Sequence, residues 1–386
     1  MTSTDNHTPP SRTITKLDMV TSPIAGACLL LFLIAGLLTN GYAVLVDHLS
    51  LITTTPSWST FMNGAVMQNI AHSLADAPMP SNAAKFERGL SWIAVGDLGA
   101  RVREGDPNWL FYNAELEPNP NNKDDAATRA NKVIEINKGL LHQNIKLLVV
   151  IVPDKSRIEQ NHLGTLHRSK LFSDRIDNWI QSISASGVNT IDLTPDFLAY
   201  KSQGGDSYFR TDSHWNEQGA EIAASVIAQR IKVLNIQPQP LQASEINNRS
   251  QVARPGDLVR VAGIDWLPEK LQPTPETVQL SSFKVIEAHS PSSPNTNLSD
   301  DLFGDANLPN IVLLGTSFSR NSNFLSFLEH YLGVKVANFA MDGGEFYGAA
   351  RDYFHSPSFK ETPPKLIIWE IPERSIESKI SYDKLK

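Results

Sequence analysis

Cysteine is nearly missing from this 386-residue chain. A single thiol, Cys28, excludes an intramolecular disulfide framework and any cysteine-based zinc site. Excess positive charge is missing too. The 34 Lys and Arg are outnumbered by 41 Asp and Glu, for a net charge of −7, which argues against a nucleic-acid binder. Internal repeats and low-complexity tracts are absent. What is present is apolar material, 41% of residues, enough to exclude a wholly disordered chain. At roughly 150 residues per domain, the length allows one large domain or two ordinary ones.

Charge of either sign disappears between Asp18 and Asp47, a run of 28 residues centred on Ala25–Leu38. A membrane-spanning helix needs about 20 apolar residues, and buried soluble helices rarely supply them unbroken. A cleaved signal peptide is the competing reading: its apolar region is usually only about 7–15 residues. A small-x-small site at Gly41-Tyr42-Ala43 keeps cleavage open, but the run's length favours an uncleaved anchor. Arg12 and Lys16 precede the span, and no Lys or Arg follows until Lys85. Positive charge stays on the cytoplasmic side, so the tail is expected inside and the remainder outside, in the periplasm of a Gram-negative cell. The expected organisation is a cytoplasmic tail (1–18), a transmembrane signal anchor (19–46), a linker with an amphipathic helix (47–84) and a catalytic domain (85–386) with an insertion around 236–309.

Trp58, Phe61, Met62, Met67, Ile70 and Leu74 recur at helical spacing, and Pro78-Met79-Pro80 is expected to end that helix. Beyond it, strand and helix patterns alternate. Ile145–Val152, Val188–Leu193, Ile311–Leu314, Val334–Phe339 and Leu366–Ile371 read as strands. Residues 128–142, 171–186, Ala220–Leu234, Asn323–Leu332 and Tyr347–Phe354 read as helices, with Gly333 as a stop. This alternation predicts an α/β fold with a parallel sheet covered on both faces. Residues 236–309 break the rhythm, with Pro, Ser and Asn crowded into Ser290–Asp301, and read as an insertion or long surface loop.

Four segments carry candidate chemistry. Gly315-Thr316-Ser317-Phe318-Ser319 follows the strand 311–314, where open parallel sheets place their sites. A helix starting after Ser317 would aim backbone N–H groups and its dipole at a developing oxyanion. Ser317 could instead merely cap that helix. Ser319 and Ser322 are better placed for capping, which frees Ser317 to act as a nucleophile. Asp212 and His214 stand two apart in Tyr208–Asn216, so an extended segment would put both on one face. Asp212 could then orient His214 as the base of a serine nucleophile. The pair could also be a surface Asp beside a structural His. A metal would accept the same residue types, but no second His cluster or Cys ligand accompanies them, so neither metal nor cofactor is expected. Gly343 and Gly344, after the next strand, allow close backbone approach and could complete an oxyanion site, or simply form a turn. Trp369, Glu370 and Arg374 combine an aromatic face with carboxylate and guanidinium, as a sugar platform would, or else form a buried Trp and a surface ion pair. Tyr347 is grouped with these as a substrate-binding candidate.

Glu104–Tyr112, Val152-Pro153-Asp154-Lys155, Arg210–Ala220 and Leu314–Phe318 together resemble the blocks of the alginate O-acetyltransferase family, the AlgJ/AlgX type, in order and spacing. The resemblance covers about residues 58–386. It implies an SGNH-hydrolase-like three-layer α/β/α sandwich and O-acetylation of an exopolysaccharide in the periplasm. The anchor resembles the AlgJ branch. A multi-pass membrane O-acyltransferase supplying acetyl groups, and other polysaccharide-export proteins, are the partners it implies. The residues themselves leave open a carbohydrate acetylesterase using the same triad with water as acceptor, or a non-catalytic scaffold of an export complex. An intact Ser, His and Asp argue against the scaffold.

An uncleaved anchor has a direct check. Fractionation and N-terminal sequencing should find the chain in the membrane with its apolar run retained; a soluble periplasmic form beginning at Val44 would overturn the anchor.

Overall fold

The computed structural model describes residues 22–52, 55–118, 122–286 and 308–379. The expected tail, the first residues of the expected anchor and the Ser290–Asp301 stretch lie outside them. The chain divides into two compact units, Met1–Glu87 and Arg88–Lys386.

In the first unit, Pro23–Leu45 is one apolar helix of 23 residues, long enough to cross a membrane. Ser22 caps it and Pro23 opens it, where a missing N–H costs nothing. The single amphipathic helix expected over Trp58–Leu74 is two, Trp58–Met62 and Ala65–Ala75. Gly64 breaks it by adopting φ 79°, the left-handed region open to glycine. Pro78, expected only as a terminator, also opens a further helix, Pro78–Val95.

The second unit is built on a five-stranded sheet. The chain first forms a small antiparallel ribbon, β1 (Val102–Glu104) with β2 (Leu110–Tyr112). The sheet strands follow as β3 (Lys146–Val152) and β4 (Asn189–Asp192). A second antiparallel pair, β5 (Ser244–Arg254) and β6 (Glu276–Val285), interrupts them. The sheet is completed by β7 (Ile311–Leu314), β8 (Ala337–Asn338) and β9 (Leu366–Pro372). Its order is β4-β3-β9-β7-β8, with every pair parallel.

Strand side chains alternate between two apolar layers. Leu148, Val150, Val152, Leu313 and Ile368 pack with helices Glu217–Val233 and Phe324–Leu332. Leu147, Val149, Ile151, Val312, Leu314 and Ile367 pack on the opposite face with helices Asn122–Leu141, Arg175–Ser184 and Gly348–His355. This is the expected three-layer α/β/α sandwich. Burial on both faces is why β3, β7 and β9 read as continuous apolar runs.

Two expectations change. The run Val334–Phe339 yields only the two-residue β8, because its first half pairs elsewhere: Val334 bridges Leu241 and the Lys335 N–H donates to the Pro240 carbonyl. The stretch 236–309 is not merely a loop. It contains the β5–β6 ribbon and a short helix, Asp257–Val261, whose Leu258 and Val259 are buried.

Ile368 is fully buried on the central strand, whereas Leu171 is 69% exposed. Ile368→Ala should cost about 2–5 kcal/mol of stability, and Leu171→Ala no more than about 0.5 kcal/mol. Denaturant midpoints of the two variants check the assignment of the core.

Candidate active site

The site forms beyond the carboxyl ends of β7 and β9. After Leu314 the chain turns through Gly315, where a Cβ would overlap the side chains of Glu370 and Ser319. Glu370, on β9, accepts the Thr316 N–H at 2.7 Å, the Thr316 hydroxyl at 3.1 Å and the Ser319 hydroxyl at 3.0 Å. Burial pushes this carboxyl up, against the pull of those three donors. Thr316 in turn accepts the Phe318 N–H at 3.3 Å and caps a short 3₁₀ turn, Ser317–Arg320. Ser317 thus stands at the head of a single turn. The expected helix begins only at Phe324, so no long helix dipole stands directly behind Ser317. Ser319 and Ser322 are not its caps: Ser319 bonds Glu370, and the Ser322 hydroxyl donates to the Trp215 carbonyl at 2.7 Å.

The facing segment runs from Tyr208 to Trp215. It is not extended. A bridge between Tyr208 and Trp215 and the Phe209 N–H to His214 carbonyl bond fold it into a tight loop. Asp212 and His214 meet because Asp212 Oδ1 accepts both the backbone N–H of His214 (3.0 Å) and its Nδ1 (2.6 Å), a local Asp turn. His214 Nε2 then lies 2.6 Å from Ser317 Oγ. The Phe318 ring packs edge-on against the imidazole at 4.9 Å. Asn216 accepts the Gly219 N–H at 3.0 Å and caps the helix that follows.

Burial raises the Asp212 carboxyl, but the hydrogen bond and charge of His214, aided by Arg254, outweigh it and hold the group below the usual carboxylate range. A base oriented by an ionised carboxylate and touching a hydroxyl can activate that hydroxyl as a nucleophile. Lys155, after β3, holds the loop from beneath. Its ammonium donates to the carbonyls of Leu110 (2.5 Å), Arg210 (2.7 Å) and Asp212 (3.0 Å). Burial pushes it down to about 8.

Ser317 and His214 open onto a cavity of about 610 Å³ that Gly343 and Arg374 also line. The other expected binding residues lie elsewhere. Trp369 is 1% exposed, packed between Phe346 and Tyr347, so no sugar can stack on it. Tyr347 is likewise buried against that ring. Glu370 is consumed by the nucleophile turn, and the Gly344 N–H already donates to the Met341 carbonyl. Their β9 and turn positions made them look like site residues, but each faces the core or its own turn.

Two residues in contact with the triad escaped sequence reasoning, Arg254 and Asp257. Arg254 Nη2 lies 3.3 Å from Asp212 Oδ2. The Asp257 N–H donates to the same oxygen at 3.2 Å, and Asp257 Oδ2 lies 3.5 Å from His214 Nδ1. Both belong to the segment read as an insertion. The only local signal was a charged pair flanking Pro255-Gly256. Burial and the Asp212 charge raise the Asp257 carboxyl. Asp212, His214 and Asp257 converge closely enough to hold a cation, as do Glu159, His162 and Asp206. In the first group the His214 nitrogens are engaged by Asp212 and Ser317. In the second, the Lys201 ammonium already bridges Glu159 and Asp206.

Behind the cavity, two carboxyls share three guanidinium groups. Glu373, after β9, bonds Arg157 and Arg168 at 2.6 Å and Arg175 at 3.1 Å. Asp154, after β3, contacts Arg175 and lies 3.4 Å from Arg168. Burial works against ionised Glu373, but Arg157, Arg175 and Arg168 outweigh it and hold the group down at about 2. Burial and the Glu373 charge push Asp154 up to about 7.

A family model described as "SGNH hydrolase-like domain, acetyltransferase AlgX" matches residues 102–373. The probable alginate O-acetylase AlgJ of Pseudomonas syringae pv. tomato is 30% identical over 276 residues, 70% of this chain and 68% of that protein. The probable alginate O-acetylase AlgJ of Azotobacter vinelandii is 28% identical over 296 residues, 76% of this chain and 74% of its own length. Among solved structures, the O-acetyltransferase domain of Pseudomonas putida AlgJ superposes with a TM-score of 0.60 at 26% identity, covering 72% of this chain and 92% of that one.

The Asp154–Glu373 arrangement has a pH signature. A carboxyl that titrates higher folded than unfolded stabilises the fold while protonated, fully below about pH 4, and loses that contribution as the pH climbs to about 7. Asp154→Asn removes the titration. In thermal melts from pH 4 to 8, the variant should gain on the parent as pH rises; a pH-independent difference would contradict the proton on Asp154.

Proposed function

The chain belongs to the SGNH hydrolase-like, AlgX-type acetyltransferase family, and from that premise we propose that it O-acetylates hydroxyls of an alginate-like exopolysaccharide in the periplasm through an acetyl-serine. Membership carries the activity class: the chain is an O-acetyltransferase. The observation that carries the mechanism is the unbroken line Asp212–His214–Ser317, with both contacts at 2.6 Å.

In this reading Ser317 Oγ attacks the acetyl carbonyl of the donor while His214 Nε2 takes its proton. The bond to the donor's leaving group breaks, and His214 returns the proton to that group. An acceptor sugar hydroxyl then enters, gives its proton to His214 and attacks the acetyl-serine. Ser317 Oγ leaves and regains the proton. Asp212 keeps the imidazole in the tautomer with its proton on Nδ1 and stabilises the cation that forms. Gly343 lines the same cavity as Ser317 while the Gly344 N–H is taken by Met341, so Gly343 is the glycine of the pair assigned to the developing oxyanion. Arg101 lines the same cavity and offers a guanidinium partner to an acidic sugar, whereas Arg374, which also borders it, is paired with Glu115 at 3.1 Å. A multi-pass membrane acyltransferase supplying the acetyl group, and an inner-membrane anchor at Pro23–Leu45, complete the reading. The competing acetylesterase differs only in using water as acceptor.

Incubating the full chain with an acetyl ester, with and without alginate oligosaccharide, separates the two. Acetyl should appear on sugar; acetate alone would favour the esterase. Ser317→Ala should lose several orders of magnitude in rate, and Asp212→Asn about 10⁴-fold on the serine-protease precedent. Joining His214→Ala to Ser317→Ala should add little, because the residues act as one unit. Additive losses would break the triad apart.

A further inference from the structure

We propose that Arg254 and Asp257 are positioning residues of the acetyl-transfer site, a cation and an anion on one arm that lock Asp212 and His214 against the Ser317 turn. The inference rests on the reading of Ser317, His214 and Asp212 as nucleophile, base and orienter.

The arm is the β5–β6 ribbon with the turn Pro255-Gly256 and the helix Asp257–Val261. It is seated on the acid–base loop by its backbone. A Cβ on Gly256 would overlap the Thr211 carbonyl group, and the Leu258 N–H donates to that carbonyl at 3.2 Å. Glu276, paired with Arg254 across the ribbon, accepts the N–H groups of Arg210 and Thr211, each at 2.8 Å. Glu217, in the helix that follows the loop, accepts the Ser281 N–H at 2.9 Å. The arm therefore cannot move without the loop.

Its two charged side chains reach further. One Arg254 nitrogen donates to Asp212 Oδ2 at 3.3 Å and to Asn321 Oδ1 at 3.0 Å. Asn321 Nδ2 donates to the Ser317 carbonyl at 2.8 Å. A single guanidinium thus ties the triad acid to the nucleophile turn. Asp212 divides its oxygens: Oδ1 serves His214, and Oδ2 is held by Arg254 and the Asp257 N–H. Asp257 accepts the Ser213 N–H at 2.7 Å and its hydroxyl at 2.8 Å, which fixes the residue between the two catalytic ones. Without the hold on Oδ2 the carboxylate could swing about its own bond, and a misplacement of about 1 Å costs roughly 10²-fold in rate.

The two charges also border the Asp212–His214 pair with opposite sign. Asp257 Oδ2 lies 3.5 Å from His214 Nδ1, and Arg254 Nη2 lies 3.3 Å from Asp212 Oδ2. Removing one or the other should therefore move the pH profile of turnover in opposite directions. Among the described residues, Asp212 itself, Lys155 from the end of β3, Arg374 from the end of β9 and Glu276 across the ribbon from Arg254 also carry charge at this cluster. None of these four changes in the variants below.

Turnover of 4-nitrophenyl acetate by the full chain is measured across pH, with melting temperatures for every protein. Arg254→Met should lower kcat about 10- to 100-fold with KM little changed, and move the acid limb of the profile to higher pH. Arg254→Lys keeps the charge but cannot bridge both partners, so its limb should return to the parent's while its rate stays low. Asp257→Asn should lower kcat and move the limb to lower pH. Limbs that stay fixed or move in the same direction, or a rise in KM at full kcat, would overturn the proposal. If Arg254→Met does not fold, Arg254→Lys and Asp257→Asn decide it alone. Ser317→Ala separates the two levels. If it retains turnover, the serine reading fails and takes this one with it. If it is dead while the Arg254 and Asp257 variants match the parent, only the positioning role fails.

Discussion

Buried carboxylates hold this site together. The segments that carry the catalytic groups are loops, so their backbone N–H groups have no ladder to donate to, and an orphaned N–H in a dry environment is costly. At nearly every such segment an acidic side chain from another element supplies the acceptor. Glu370 takes the Thr316 N–H, Glu276 takes Arg210 and Thr211, and Glu159 takes Ser207 and Tyr208. Glu115 takes Ser156, Glu373 takes Asp154, and Asp257 takes Ser213. Where the carboxyl is ionised, as at Glu373, the bond is charge-assisted and stronger than a neutral one. The backbone of the catalytic loops is thereby tied to other elements of the fold.

That solution creates a second problem, since buried negative charge must itself be compensated. The chain answers with cations fixed in the same places: Lys155 under the acid–base loop, Arg157, Arg168 and Arg175 behind the cavity, and Arg254 against Asp212. Where cations are shared, one acid yields. Glu373 holds its charge and Asp154 is driven toward its neutral form. Among the described residues no cation hydrogen-bonds Glu370, and burial pushes it toward protonation, yet its three donors keep it on the turn.

The sheet decides where these loops converge. With the order β4-β3-β9-β7-β8 and all strands parallel, the carboxyl ends of β3, β9 and β7 lie side by side. Lys155, Arg374 and Ser317 follow those three ends, so two cations and the nucleophile come together although they are far apart in the chain. The β5–β6 arm brings the remaining side of the cluster from outside the sheet. It adds no strand to the central sheet: Ile246 and Phe283 rest on one apolar layer of the sandwich, and its charged turn reaches the triad.

The strands, the parallel sheet and the triad were legible in the amino-acid order because each depends on local chemistry. Continuous β-branched runs such as Ile145–Val152 announce burial on both faces, and Asp212 and His214 stand close enough in sequence to meet, although they do so in a tight loop and not on the extended segment expected. The roles of Trp369 and Glu370 were not legible. Neighbours on a strand point to opposite faces, and only the packed helices reveal that one ring enters an aromatic layer while the next carboxyl reaches the Ser317 turn. The short β8 depended on Val334 finding Leu241, a contact between segments nearly a hundred residues apart. Arg254 and Asp257 lay in a stretch whose composition spells loop. Their meaning comes from folding that stretch back onto Thr211, because a guanidinium 42 residues from its carboxylate has no periodicity to betray it. Patterns within a few residues report what the backbone will do; which charges become partners is settled only when the tertiary fold removes water from between them.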